Sequence, residues 1–176
     1  MRKILIIDDE KIIHDSIQNI LRHEELVFYS AYNGQEGLDK YYEVFPDVIL
    51  LDLRMPIMDG YSFLHTLQPS AKEPFSIIVL TGHGVDKDIR VCFDLGVNAF
   101  LRKPFNIYQL KGLVRQALAI TEVQSGLIHQ IVCLEEVQEK LKVENIHLKK
   151  LAPNNLDIDD QIDQLNEMLN LFKGII

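Results

Sequence analysis

Asp52 closes the apolar run Val48-Ile49-Leu50-Leu51 and is followed at once by Leu53-Arg54-Met55-Pro56-Ile57-Met58-Asp59-Gly60, so a carboxylate stands where a buried strand gives way to a Pro/Gly loop. A second acidic pair, Asp8-Asp9, ends the run Ile4-Leu5-Ile6-Ile7, and two further strand-like runs end at Thr81 and lead into Lys103-Pro104. In an open parallel sheet such ends converge on the carboxyl edge, where α/β proteins place their sites. Two like charges about 4 Å apart repel by about 1 kcal/mol in water and about 4 kcal/mol at an effective dielectric of 20, so Asp8, Asp9 and Asp52 together call for a cation or for protonation. Hard oxygen ligands with few residues committed suit Mg²⁺, which keeps several waters and shares its shell with a phosphate. Lys103 offers a point charge for a phosphoryl oxygen and Thr81 a hydroxyl for another. The chemistry this set implies is metal-assisted phosphoryl transfer onto Asp52. Taken singly, Asp8-Asp9 reads as a helix cap, Thr81-Gly82 as a turn and Lys103 as a solvated charge. Their common place at strand ends is what joins them.

The elements that must position these groups alternate up to about residue 120. Lys3–Asp8 reads as a buried strand, followed by a helix with Ile13, Ile17, Ile20 and Leu21 on one face. Leu26–Ala31 is a second strand ending at the turn signal Asn33-Gly34, and Leu38, Tyr41, Tyr42 and Phe45 mark a helix stopped by Pro46. Val48–Asp52 is the third strand, Tyr61–Leu67 a short helix and Ser76–Thr81 the fourth strand. A helix with Ile89, Cys92, Phe93 and Leu95 closes at Gly96, Asn98–Leu101 is a short fifth strand, and a last helix starts near Asn106. Strands alternating with helices mean right-handed βαβ units, hence an α/β domain with a doubly wound, five-stranded parallel sheet covered on both faces.

Beyond residue 120 no strand signal appears. Ile120, Leu127, Leu134, Leu141 and Leu148 recur every seventh residue, beside a seam of Gln124, Ile131, Gln138 and Asn145. A helix from Asn106 to Leu151 would be about 68 Å long, more than the α/β domain can cover. A parallel dimeric coiled coil over residues 120–151 is the expectation, with Asn145 fixing register and the two glutamines weakening the seam. Pro153-Asn154-Asn155 breaks it, and Ile158, Ile162, Leu165, Leu169, Phe172 and Ile176 form a second stripe that could fold back, bundle with a partner chain or bind another protein. The expected organisation is residues 1–120 as the α/β domain, 121–152 as the coiled-coil helix continuing its last helix, and 153–176 as a second amphipathic helix.

The formal charge of −8 is uneven, with 13 Lys/Arg against 16 Asp/Glu in residues 1–120 and 5 against 10 in residues 121–176. Neither part offers a basic face, so nucleic acid is not expected as a direct ligand. No uninterrupted apolar run approaches the roughly 20 residues that span a bilayer, and Met1-Arg2-Lys3-Ile4 runs straight into a strand, which argues for a cytoplasmic protein without a membrane partner. Cys92 and Cys133 lack metal-ligand spacing and read as small apolar residues of a reducing compartment.

Six pieces of the chain carry a resemblance: Ile6-Ile7-Asp8-Asp9-Glu10, Ala31-Tyr32-Asn33-Gly34-Gln35-Glu36-Gly37-Leu38, Pro46-Asp47-Val48-Ile49-Leu50-Leu51-Asp52, Met55-Pro56-Ile57-Met58-Asp59-Gly60, Val79-Leu80-Thr81-Gly82-His83-Gly84 and Gly96-Val97-Asn98-Ala99-Phe100-Leu101-Arg102-Lys103-Pro104-Phe105. In register over roughly residues 1–120, they make this part of the chain similar to the receiver domain of two-component response regulators. The resemblance implies a flavodoxin-like strand order 2-1-3-4-5. It also implies that Asp52 takes a phosphoryl group from a phosphohistidine on a sensor histidine kinase or phosphotransfer protein. By the same resemblance Asp9, Asp52 and the backbone carbonyl of Arg54 bind Mg²⁺ directly and Asp8 acts through water. Lys103, joined to Pro104 by a cis peptide, contacts the phosphoryl group, Thr81 moves to it, and Phe100 fills the place of the switch aromatic. The added group brings about 1.5 to 2 negative charges, enough to draw in Thr81 and open space for Phe100. The responding surface is then the helix near Val85–Leu95, the strand Asn98–Leu101 and the helix from Asn106.

No enzymatic turnover is expected beyond Mg²⁺-dependent self-phosphorylation and self-dephosphorylation. An Asp-nucleophile phosphohydrolase would carry a second Asp two residues on, where this chain has Arg54. An acidic tail with coiled-coil spacing does not fit a DNA-binding output, and Ile128-His129-Gln130 lacks the acidic neighbour of a phosphorylated histidine. A homodimer engaging a protein output partner is one expectation. The amino-terminal regulatory part of a longer protein with a catalytic output beyond residue 176 is the other.

Overall fold

A computed structural model describes residues 1–68, 74–82, 89–151, 163–164, 166–168 and 170–171. The chain divides into two compact units, Met1–Glu122 and Val123–Ile176. The first holds β1 (Arg2–Ile7), α1 (Lys11–Leu21), β2 (Leu26–Ala31), α2 (Gly34–Val44), β3 (Val48–Asp52), α3 (Gly60–Leu67), β4 (Ser76–Thr81), α4 (Ile89–Asp94), β5 (Ala99–Arg102) and the start of α5 (Ile107–Leu151). The strands pair in parallel in the order β2-β1-β3-β4-β5. This is the doubly wound, flavodoxin-like sheet read from the sequence.

The side chains of β1, β3 and β4 are apolar on both faces because both faces are covered. Leu5, Ile7, Ile49, Leu51, Ile77 and Val79 point to one core, with Leu38 of α2, Phe63, Leu64 and Leu67 of α3, and Cys92 of α4. Ile4, Ile6, Val48, Leu50, Ile78 and Leu80 point to the other, with Ile17 and Leu21 of α1 and Leu110, Val114 and Ala117 of α5. β2 lies at the edge, and all its residues but Ala31 are only half-buried.

Local signals explain the helix ends. Asn33 caps α2 by accepting the Glu36 amide at 3.0 Å while Glu36 Oε2 accepts the Tyr32 amide at 2.8 Å, closing a reciprocal box. Asp59 caps α3 through the Ser62 amide at 2.7 Å. Asn106 accepts the Gln109 amide at 2.9 Å, which sets the start of α5.

Two sequence expectations shift. α1 begins after Glu10, so Asp8 and Asp9 lie outside its cap, and the buried face of α1 is His14, Ile17 and Leu21. Tyr42 and Phe45 are 60% and 70% exposed, and Phe45 ends α2 in the left-handed conformation (φ 49°). Val85 to Asp88, where the fourth helix was expected to open, lie outside the described residues.

In the second unit α5 continues unbroken to Leu151, with Leu127, Ile131, Leu134, Gln138 and Leu141 half-buried along one stripe. The Gln138 amide donates to Asn166, so a residue from the second stripe's segment meets α5 within the same chain. Pro153-Asn154-Asn155 and the second-stripe residues Ile158, Ile162, Leu165, Leu169, Phe172 and Ile176 lie outside the described residues. Within Ile107–Val143 one 18-residue window has a mean hydropathy of 1.3 and could cross a membrane by length and composition. A count of uninterrupted apolar residues overlooks it, because Glu122, Gln124, His129 and Gln130 recur among the Leu, Ile and Val of this helix.

Candidate functional site

Strand register assembles the site. Ile7 pairs with Leu51, which places Asp8 beside Asp52, and Asp52 pairs with Leu80, which places Thr81 one residue further out on the next strand. Thr81 in turn pairs with Arg102, so Lys103 follows at the same edge, where its amide donates to the Thr81 carbonyl at 2.7 Å. The Lys103-Pro104 peptide is cis.

The electrostatic centre is one ammonium between two carboxylates. Lys103 Nζ donates to Asp8 Oδ2 at 2.6 Å and to Asp52 Oδ1 at 2.7 Å, with Glu10 Oε1 at 3.9 Å. Asp8 is fully buried and its other oxygen accepts the Glu10 amide at 3.0 Å. Burial is the largest influence on Asp8 and raises its pKa, with the bonds from Lys103 and Glu10 opposing it only in part. Burial also pulls Lys103 down, but the bonds to Asp52 and Asp8 outweigh it and hold the ammonium above its ordinary value. Asp52 Oδ2 accepts the Arg54 amide at 2.6 Å.

Gly60 makes this loop possible. Its amide donates to the Leu53 carbonyl at 3.1 Å, and a Cβ there would collide with the Asp52 carbonyl oxygen. A cavity of about 220 Å³ opens over Asp52, lined by Glu10, Arg54, Tyr61, Thr81, Gly82 and Lys103 among others. Glu10 and Tyr61 were not singled out by sequence, although Glu10 directly follows the acidic pair.

The expected residues divide as follows. Asp8, Asp52 and Lys103 are in direct contact, Thr81 lines the same cavity, and Arg54 joins through its backbone. Asp9 is exposed on the bend after β1. Among the described residues no three His, Cys, Asp or Glu side chains converge closely enough to hold a metal ion by themselves. The three-carboxylate cluster expected from sequence is therefore two carboxylates bridged by an ammonium, with the third set apart. Phe100 is half-buried and packs edge-on against Phe93 at 5.0 Å between ring centroids. Thr81 Oγ1 donates to the Gly82 carbonyl at 3.1 Å. His129 is an exposed helix residue near Cys133, as its sequence context implied.

The family model described as the response regulator receiver domain matches residues 4–115. The chain belongs to this family. Among solved structures, a response regulator receiver domain protein from Clostridium thermocellum is similar at 28% identity and a TM-score of 0.63, covering 70% of this chain and 98% of its own. A CheY-like receiver domain protein from Methanospirillum hungatei JF-1 matches at 29% identity and 0.63 over 70% and 98%. The receiver domain of a signal transduction histidine kinase from Syntrophus aciditrophicus matches at 26% identity and 0.60 over 68% and 91%. Receiver domains belong to two-component signalling, work with histidine kinases or phosphotransfer partners, and typically bind Mg²⁺ at the acidic pocket.

Proposed function

We propose that this response regulator accepts a phosphoryl group on Asp52 from a phosphohistidine of a sensor histidine kinase or phosphotransfer protein, and passes the change to a helical extension that pairs with a second copy. The observation that carries the proposal is the Asp52 carboxylate at the floor of an open cavity, with Lys103 Nζ at 2.7 Å and the Thr81 hydroxyl on the same wall.

In the transfer, an Asp52 carboxylate oxygen forms the new O–P bond as the N–P bond of the donor breaks, and the imidazole leaves with a proton. The Arg54 amide, which donates to Asp52 Oδ2, leaves Oδ1 as the oxygen facing Lys103. Lys103 is placed to follow the charge from carboxylate to phosphoryl oxygens. Thr81 can trade its bond to the Gly82 carbonyl for a phosphoryl oxygen, and Phe100 can then turn inward from Phe93.

The donor set at this edge is all oxygen, which fits Mg²⁺: Asp9, Asp52 and the Arg54 carbonyl would hold the ion directly and Asp8 through water. Bound there, Mg²⁺ supplies charge neutralisation for the incoming phosphoryl group. The ion needs few protein ligands because it retains waters, so the separation of Asp9 from the other two carboxylates is compatible with this set.

The polar residues recurring along α5 suit a helix that faces protein rather than lipid, and the acidic tail does not suit nucleic acid. Cytoplasmic placement and a protein output partner follow from this reading. Asp52→Asn should abolish acid-labile, hydroxylamine-sensitive phosphate incorporation from a small phosphodonor with Mg²⁺. Undiminished labelling of that variant would remove the acceptor assignment.

A further inference from the structure

The polar side chain on the buried face of α1 is His14, which neither the acceptor nor the switch accounts for. It is 1% exposed and is buried together with Ile17 and Leu21. Its Nε2 lies 2.7 Å from the Asp8 carbonyl oxygen and its Nδ1 lies 2.9 Å from Ser30 Oγ of β2. A carbonyl oxygen only accepts, so Nε2 carries a proton and donates to it, while Nδ1 is paired with the serine hydroxyl. Both ring nitrogens are satisfied. Tyr32, just past β2, stacks on the ring with centroids 4.8 Å apart.

The effect on Asp8 is complete restraint. Its amide donates to Ala31 at 3.1 Å, its carbonyl accepts from His14, one carboxylate oxygen accepts the Glu10 amide and the other accepts Lys103. The Asp8 carbonyl and the Asp9 amide belong to one planar peptide, so the bond from His14 sets the direction from which the chain enters Asp9. We infer that His14 is a positioning residue for cation binding: by holding the Asp8 carbonyl it fixes the Asp8-Asp9 peptide, and with it the backbone of the bend after β1 from which the Asp9 carboxylate departs. This rests on the reading of Asp9 and Asp52 as Mg²⁺ ligands. Groups behind a ligand that fix its orientation commonly change metal affinity by about 10-fold to 100-fold when lost.

The test separates the bond to Asp8 from the bulk of the ring. In His14→Gln the amide nitrogen reaches close to the place of Nε2 and can still donate to the Asp8 carbonyl. In His14→Asn the shorter amide reaches only the neighbourhood of Nδ1 and keeps Ser30. Titration of the full chain with Mg²⁺ alone, followed calorimetrically, should show His14→Gln within about twofold of wild type and His14→Asn weaker by about 10-fold. Asn equal to wild type overturns the inference, and so does Gln as weak as Asn. If His14→Asn fails to fold, imidazole ¹⁵N spectra of the wild-type chain decide. A protonated Nε2 whose resonance moves on Mg²⁺ addition supports the role, and an unresponsive one overturns it. Failure of the underlying site reading looks different, because the wild-type chain itself would then bind no Mg²⁺.

Discussion

Lys103 Nζ lies 2.7 Å from Asp52 Oδ1 and on its other side reaches the fully buried Asp8, so the acceptor carboxylate is held by the group that would later receive its phosphoryl oxygens. The ammonium is itself largely enclosed, with 15% of its side chain exposed. Folding and response therefore share one residue. Sequence context alone, which places Lys103 beside a loop proline, suggests a solvated charge whose loss costs little.

Lys103→Ala should lower metal-free stability by about 3 kcal/mol, because it leaves two carboxylates facing each other without a counter-charge. Mg²⁺ should restore part of that loss, and thermal midpoints in EDTA and in Mg²⁺ check both statements. The ammonium's pKa is raised in the folded chain, so its contribution is fully present below the ordinary lysine value of about 10.4 and is lost as pH rises through the folded value. Alkaline melts should show the wild-type advantage over Lys103→Ala shrinking. Thr81→Ala, which removes only a bond to the adjacent Gly82 carbonyl, should cost about 1 kcal/mol or less while still blunting the phosphorylation response.

Asp8 carries the opposite consequence. Its pKa is raised by burial, so the folded chain holds that proton more tightly than the unfolded one. Stability from this group is greatest below the ordinary Asp value of about 3.9 and falls as pH rises through the folded value, by about 1.4 kcal/mol for each unit of elevation. Asp8→Asn has no proton to lose. Denaturant titrations in EDTA should therefore show the variant gaining on wild type between that pH and neutrality, and a constant difference across this range would contradict the direction.

Ile57 is 87% exposed and sits at φ 68°, a left-handed backbone that β-branched residues rarely adopt. Little apolar burial stands to be lost there. Ile57→Gly should stabilise the chain by about 1 kcal/mol without altering the cavity over Asp52, as read by the denaturation midpoint and by labelling from a small phosphodonor.

The sheet was legible because Ile4–Ile7, Val48–Leu51 and Ile77–Leu80 are buried on both faces and read as unbroken apolar runs, each ending in a polar residue at the same edge. Asp8, Asp52, Thr81 and Lys103 were legible for that reason: strand register converts a position in sequence into a place at the site. Asp9 was harder to read, since alternation past the strand end is a matter of loop geometry. His14 was hidden because a periodicity count over Ile13, Ile17, Ile20 and Leu21 admits only apolar residues. Its spacing of three and seven from Ile17 and Leu21 was the available signal. Burial of Thr121, whose hydroxyl stands within 3.1 Å of the Asp47 carbonyl, 3.0 Å of the Ala117 carbonyl and 3.3 Å of Ser76 Oγ, needs contacts 74 and 45 residues away and could not be read locally.

That last contact decides where the extension can be cut. A chain ending at Ala119 would strip Thr121 from Ser76 and Asp47 and should lose about 1 kcal/mol, whereas one ending at Glu122 keeps the compact unit whole. Sedimentation of residues 1–176 should show a dimer and of residues 1–122 a monomer, because the stripe of Leu127, Leu134 and Leu141 lies wholly beyond the cut. Leu134→Lys with Leu141→Lys should split the dimer, each buried apolar side chain lost being worth about 1.5 to 3 kcal/mol. Labelling of Asp52 should survive, because the acceptor needs only β1, β3, β4 and β5. If residues 1–122 associate as well as the full chain, the interface lies on the receiver domain, and the leucine stripe is better read as a face for a different protein.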